Sequence, residues 1–523
     1  MSRAPSRVVT EDLGGSPLSL AAQAGRLPAD VFAPWPADRD EWTSHAQTVR
    51  RANSKWYDAI RDAVNGTSNS PAAERLRRAA EAKGVVVTTG QQAGLFGGPL
   101  YAVSKAISAL VLADELERLL GIPTAPVFWG ATDDADFLEA SRTWVADADG
   151  LTELVLQQRP DPGTPMSLAP LGDVTLPLEQ LRKSAGSAAH AQYLEAARSA
   201  YTRERTVGSA YVHLLRELFE PLGISVLDSS HPAMLAAARP ILLDAAARAT
   251  EIAAAVSQRT SKIRALGFEP QVDDERGLSL VAVIENGVKR RLPIEEARAL
   301  SKDTSVPLGA NVLLRPVVER DLLPTIAYVA GPAELAYFAQ SAAVADALSR
   351  ARPIGVPRWS CTVIEPFAAR ALERLGIQYH EARDARGLER HFAEQSLPTA
   401  IQEAWQSLMQ SVQRSLGVVD AAVREASLLP PTVIEGLQRS IAHRLSRTER
   451  RLLAAAKRRD AQRQHDIAVA TAALYPMGKR QERVLNFVPM LTRGGPELVD
   501  EMRAAASKWS RALIGAAAAA STR

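Results

Sequence analysis

The 523-residue sequence has a single cysteine, Cys361, so no intramolecular disulfide can form. The chain must therefore be held together by its core. A length of roughly three domains at ~150 residues each supplies one without metal or disulfide staples. One cysteine also fits a reducing compartment, and a cytoplasmic location is expected. The net charge is only +3, which gives no general case for nucleic acid or membrane binding. No uninterrupted apolar run approaches the ~20 residues of a membrane span. Arg3 and Arg7 are followed by no apolar stretch, so no secretory signal is expected. The eight histidines are scattered without H-E-x-x-H or similar spacing, and no metal site is expected.

Short apolar runs ending in Gly, Ser or Asp loops are present instead. They are Val85–Thr89, Ala125–Trp129, Ile224–Leu227, Thr325–Val329 and Ile354–Val356, each followed by a helical pattern. Alternation of this kind predicts a parallel α/β sheet, with ligands beyond the carboxyl ends of the strands. Between 142 and 294 the pattern changes to short β-like pieces, prolines and helices, as in an insertion. Within it Leu278–Ile284 and Val288–Leu292 flank Asn286-Gly287, a hairpin signal. The divisions read from this are 1–141 for the first part of the core and 142–294 for a connecting region with one more core strand near 224–228. The second part of the core then takes 295–387 and a helical domain 388–523, its last segment returning towards the core.

In the helical domain, Ile401, Trp405, Leu408, Val412 and Val419 recur at spacings of three, four and seven. A Pro430-Pro431 break separates them from Ile434, Leu437, Ile441, Leu445, Leu452 and Ala456. Two long helices joined by a proline turn predict an antiparallel coiled coil. The second spacing drifts towards an 11-residue period, away from a strict heptad. Its basic face, from Arg444 to Arg463, reads first as a solvated surface and second as a contact for a nucleotide or other polyanion. Nucleic acid ranks third, because aromatic residues are not interleaved with the charges.

Four stretches could carry chemistry. In the first, a strand enters Gly90-Gln91-Gln92-Ala93-Gly94-Leu95-Phe96-Gly97-Gly98 and then a helix carrying Tyr101 and Lys105. Glycines let backbone approach a ligand, and free N–H groups at a helix start favour an anion. The spacing is neither a Walker A loop nor a dinucleotide fingerprint. A tight turn without a ligand is the plainer alternative. In the second, Asp133, Asp134 and Asp136 cluster past the next strand, where they could bind an ammonium, act as general base or simply cap a helix; a divalent ion is an alternative that nothing nearby specifies. Repulsion should raise at least one of their pKa values unless a cation intervenes.

In the third, Asn311 and Arg315 precede a strand that turns through Gly331-Pro332 into a helix with Glu334 and Tyr337. Arg315 could clamp a carboxylate, while Glu334 divides between site residue and helix cap. The fourth holds Arg358 and Cys361. Arg358 is a site candidate, and Cys361 reads as a buried strand residue without a histidine partner. His231, just past a strand end, reads first as a cap.

Taken in order, Thr89–Phe96, Gly98–Tyr101 with Lys105, Pro126–Trp129 with Asp134 and Asp136-Phe137, Asn311–Pro316, Leu323–Thr325, Gly331-Pro332 with Glu334 and Tyr337, and Leu474–Pro476 with Gly478 and Gln481–Arg483 resemble the BshC family. The resemblance spans about Leu13 to Ile514. It implies a Rossmann-like core similar to class I nucleotidyltransferases, interrupted by connecting segments. A helical coiled-coil domain that serves dimerisation is also implied, so a homodimer is expected. The implied activity joins cysteine to glucosaminyl-malate by an amide bond. One departure is Ala135, where the family shows histidine in Glu-Asp-His-Asp-Phe.

On this reading the aspartates hold and deprotonate the amine, the Gln91–Gly98 loop holds an anion, and Arg315 and Arg358 neutralise carboxylates. Activation of the cysteine carboxylate points to ATP or another nucleotide, yet no HIGH-type or KMSKS-type signature is present, and the cofactor is left unassigned. Two rivals stand beside it: a ligase for a different amine and acid, and a non-catalytic nucleotide- or metabolite-binding protein.

Overall fold

The computed structural model describes residues 5–51, 54–187, 189–273, 277–300 and 305–520. The chain divides into two compact units. One comprises 1–145, 152–365 and 481–523, and the other 146–151 and 366–480. The longer stretch of the second unit begins at Pro366, and the helical pattern read from the sequence begins at 388.

The larger unit is built on five parallel strands: β1 (Val85–Gln92), β2 (Thr124–Ala131), β3 (Ser225–Asp228), β4 (Thr325–Ala330) and β5 (Gly355–Pro357). All five coincide with the apolar runs of the sequence. They run β5-β4-β1-β2-β3 across the sheet. The chain therefore winds outward from β1 to β3, returns, and winds out on the other side through β4 and β5. The order reverses between β1 and β4, and such a switch point opens a crevice at the carboxyl edge.

β1 is buried along its length as far as Gly90, as a central parallel strand should be. Val85 and Val87 pack with Leu112 and Leu116 of helix α1 (Tyr101–Leu120), whereas Val86 packs with Leu76 on the opposite face. That alternation is the two-residue period of a strand whose faces are both covered.

Two more helices position the site. Helix α2 (Arg315–Leu322) precedes β4, and helix α3 (Pro332–Ala347) follows it, with Gly331 as N-cap and Pro332 in the first turn. An antiparallel sheet joins Leu278–Glu285 and Val288–Pro293 of the insertion with Leu308–Ala310, which follows it. Its Asn286 and Gly287 have φ of 52° and 80°, as a tight hairpin turn demands. Cys361 lies buried on Ser360–Ile364, which pairs antiparallel with Arg7–Glu11.

In the helical unit, Arg374 forks onto Asp466, and Ala393, Leu453 and Ala456 form a small core. Helix α4 (Thr399–Glu425) buries none of its residues, and Ile401, Leu408 and Val419 of its apolar stripe are exposed. The following helix, α5 (Pro431–Arg459), buries only Ile434, Leu453 and Ala456 among its described residues. None of the described helices is long and apolar enough to cross a membrane.

Candidate functional site

At the carboxyl edge of β1, Gly90 lies against its neighbour. A Cβ there would stand 2.8 Å from the Trp129 carbonyl, so the close approach requires glycine. Beyond it the chain takes three successive positive φ values: Phe96 50°, Gly97 83° and Gly98 82°. Side chains from elsewhere hold this turn. The Tyr201 hydroxyl donates to Gly94 O at 3.0 Å, and the Asn486 amide donates to the carbonyls of Leu95, Phe96 and Gly98 at 3.0–3.1 Å. Gly97 and Gly98 donate their own N–H groups to Gly94 O and Leu95 O. The expected anion cradle is corrected for these two residues, because their N–H groups close the turn.

Across the switch point four charges alternate. Lys105 Nζ donates to Gly90 O at 2.7 Å and to Gln91 Oε1 at 3.2 Å, and lies 2.5 Å from Glu334 Oε2. Glu334 also accepts from the Gly331 N–H and the Tyr328 hydroxyl, each at 2.6 Å. It is both helix cap and site residue, so the two readings of it merge. Arg315 Nη2 lies 3.9 Å from Glu334 and donates to the hydroxyls of Tyr328 and Tyr337 at 3.2 and 3.1 Å. Arg315 Nη1 meets Glu319 at 3.2 Å, and Glu319 accepts from the Thr88 hydroxyl. Burial would raise Glu334, but Lys105 and Arg315 hold it below the ordinary carboxylate range. Burial prevails at Glu319, against Arg315 and Thr88, and pushes it up to about 7.

The β2 loop reaches the same rim. Gln92 Nε2 donates to Asp134 Oδ2 at 3.1 Å, and Gln91 Nε2 to the Tyr101 hydroxyl at 3.2 Å. The three aspartates separate into distinct roles. Asp136 is exposed and caps helix 137–140 through the Glu139 N–H, so its place in catalysis is corrected to a cap. Asp133 is tied to Lys289 Nζ at 3.0 Å and to the Ser229 hydroxyl at 2.7 Å. Burial alone would raise Asp133, but these partners outweigh it and hold the carboxyl low. The expected repulsion surfaces instead at Glu139, raised by burial and by Asp136 and Asp134. Asp134 is half-buried and, among the described residues, has no cationic partner; Oδ1 accepts the Asp136 N–H at 2.8 Å.

Two further expectations change. Arg358 spends its fork on Glu482, at 2.8 and 2.7 Å, and on the Trp359 carbonyl. With both partners buried it is a structural strut and not a ligand clamp. Asn311 accepts the N–H groups of Leu313 and Leu314 and shapes the turn into α2. His231 caps its own helix, as read. Lys289, Glu319, Tyr328 and Glu482 were not among the candidates. Only Glu319, four residues after Arg315, carried a local signal, that of an i,i+4 pair.

Electrostatically the rim suits a cation better than a polyanion. Lys105, Arg315, Arg358 and Lys289 each already face a carboxylate, and the amino end of α3 is filled by Glu334. These residues do not fit a triphosphate, whereas Asp134 fits an ammonium group.

Comparison with known proteins agrees with this architecture. Residues 28–359 match the family described as "Bacillithiol biosynthesis BshC, N-terminal Rossmann-like domain", and residues 361–511 match the corresponding C-terminal coiled-coil domain. A protein of Solibacter usitatus is 31% identical over 447 residues, covering 82% of this chain and 84% of that one. One from Koribacter versatilis is 32% identical over 448 residues, covering 82% of each. One from Heliobacterium modesticaldum is 31% identical over 480 residues, covering 85% of each. All three carry the name "Putative cysteine ligase BshC". With a doubly wound sheet, a helical unit after it, and family matches across most of its length, the chain belongs to the BshC family of bacillithiol biosynthesis.

Proposed function

We propose that this chain joins cysteine to glucosaminyl-malate through an amide bond, at the switch point between β1 and β4. The observation that carries the reading is the meeting of three remote loops on one rim. Gln92 touches Asp134, and Lys105 links Gly90 and Gln91 to Glu334 and so to Arg315.

In this reading the glucosamine nitrogen binds beside Asp134, which accepts from Gln92 and has no cationic partner among the described residues. It must be neutral to attack, and Asp134 takes its proton. The new C–N bond forms at the carboxyl carbon of a cysteine already activated as a mixed anhydride with phosphate, the C–O bond to that group breaks, and the phosphate leaves with the bonding electrons. Arg315 receives a substrate carboxylate at Nη1, in the place that Glu319 holds in the ligand-free chain. Gln91, Gln92 and Tyr101 position the substrate between the two. Lys105, Glu334 and Tyr337 fix Arg315 and the loop, so they act as positioning groups. Ala135 leaves no imidazole in this loop, and in this reading Asp134 serves as the base. The uncovered stripe of α4 supports a homodimer through the helical unit.

A thermal-shift panel of cysteine, glucosaminyl-malate, malate and ATP tests the substrate assignment. Stabilisation by cysteine and glucosaminyl-malate is expected. Stabilisation by ATP alone would favour a nucleotide-binding protein instead.

A further inference from the structure

We propose that Glu319 is a displaceable counter-ion of Arg315, which releases the guanidinium and takes up a proton when a ligand carboxylate docks there. The inference rests on the reading of Arg315 as the acid-binding residue.

Arg315 lies between two carboxylates of unequal commitment. Glu334 is fixed by Lys105, by the Gly331 N–H and by the Tyr328 hydroxyl. Among the described residues Glu319 is held by Arg315 and the Thr88 hydroxyl, and it is 2% exposed. A third carboxylate on the same guanidinium leaves the cluster with excess negative charge in a poorly solvated place. The anion with the fewest fixed partners and the least water is the one that gives up its charge.

The Thr88 contact suits both states. Its hydroxyl donates to the charged carboxylate and can rotate to accept from the neutral acid. Glu319 therefore keeps its hydrogen bond to Thr88 after protonation. The balance is simple: ligand anion plus one solvent proton gives an Arg315–ligand pair and a neutral Glu319.

Arg320 and the hydroxyls of Tyr328 and Tyr337 feel the field of Glu319, and Arg315 and Glu334 act on it directly. Arg51 donates to the carbonyls of Arg320 and Asp321, and Arg350 meets Asp244 and Asp321, so neither of these arginines is a partner of Glu319. Burial pushes Glu319 up to about 7, which puts the protonation change within reach of neutral solution.

The test is calorimetric titration of L-malate into the full chain at about pH 8, in two buffers of different ionisation enthalpy. Malate carboxyls titrate well below this range. Wild type should take up close to one proton per malate, and its affinity should fall by up to about tenfold per pH unit above neutrality. Glu319→Gln should show no buffer dependence, a flat pH profile, and malate binding several-fold tighter than wild type at the same pH. Thr88→Val, which removes a donor to the charged form, should move the window of proton uptake to higher pH. The same uptake in Glu319→Gln as in wild type would overturn the inference. Arg315→Ala separates the two claims. If it binds malate as wild type does, or if wild type binds neither malate nor glucosaminyl-malate, the acid-site reading fails. If it loses malate while Glu319→Gln keeps normal proton uptake, only the present inference fails.

Discussion

Lys105 Nζ lies 2.5 Å from Glu334 Oε2, and this contact ties the helix after β1 to the helix after β4 across the point where the strand order reverses. The two side chains are 5% and 13% exposed, so each is the other's main compensation for leaving water. Breaking such a pair from one side costs about 3–5 kcal/mol, because an unpaired charge stays buried. Lys105→Met and Glu334→Gln should each lower the denaturation midpoint strongly, and the double variant should lose less than the sum. The same non-additivity is expected for Arg358→Met with Glu482→Gln, and urea titration measures both.

Asp134→Asn should abolish product with the fold intact, because the variant keeps the Gln92 contact but cannot accept a proton. Circular dichroism should be unchanged while product formation by mass spectrometry falls to background. Full turnover would show that the base lies elsewhere.

Arg315→Ala should weaken acid binding by ~2 kcal/mol or more, the value of a charge-assisted pair. Calorimetry with malate reads this directly, and an unchanged affinity would move the acid site off α2.

Stability should depend on pH through Glu319. Its pKa rises from an ordinary 4.5 to about 7 in the folded chain. Between those values the folded state holds a proton that the unfolded state has lost. Stability is therefore full below the lower value and falls as pH rises through about 7, by an amount on the order of 3 kcal/mol. Glu319→Gln should lose this slope, as measured by denaturation midpoints across the range.

Cys361 should be inert while the chain is folded. It is 1% exposed, and burial pushes its thiol up to about 12. A thiol reagent at neutral pH should label it only after denaturation. Rapid labelling of native protein would contradict its place on the buried strand.

The five strands of the parallel sheet and the hairpin at Asn286-Gly287 were legible from local pattern, whereas Arg7–Glu11, with its run Val8-Val9-Thr10, was not read as a strand. Arg315, Gln92 and Asp134 were legible as polar residues just past strand ends. Pairings across long separations were not. Lys289 neutralises Asp133 from 156 residues away, and Glu482 occupies Arg358 from 124 residues away. Nothing local marks such partners, so three aspartates read as one cluster and Arg358 read as free. The coiled-coil stripe was visible as periodicity, but periodicity does not say what covers it, and α4 leaves it exposed.

The most direct measurement is the bacillithiol content of a strain lacking this gene, by mass spectrometry of its thiols. The account predicts that bacillithiol disappears with accumulation of glucosaminyl-malate, returns with the wild-type gene, and stays absent with the Asp134→Asn variant. An unchanged thiol pool in the deletion strain would contradict the proposed activity.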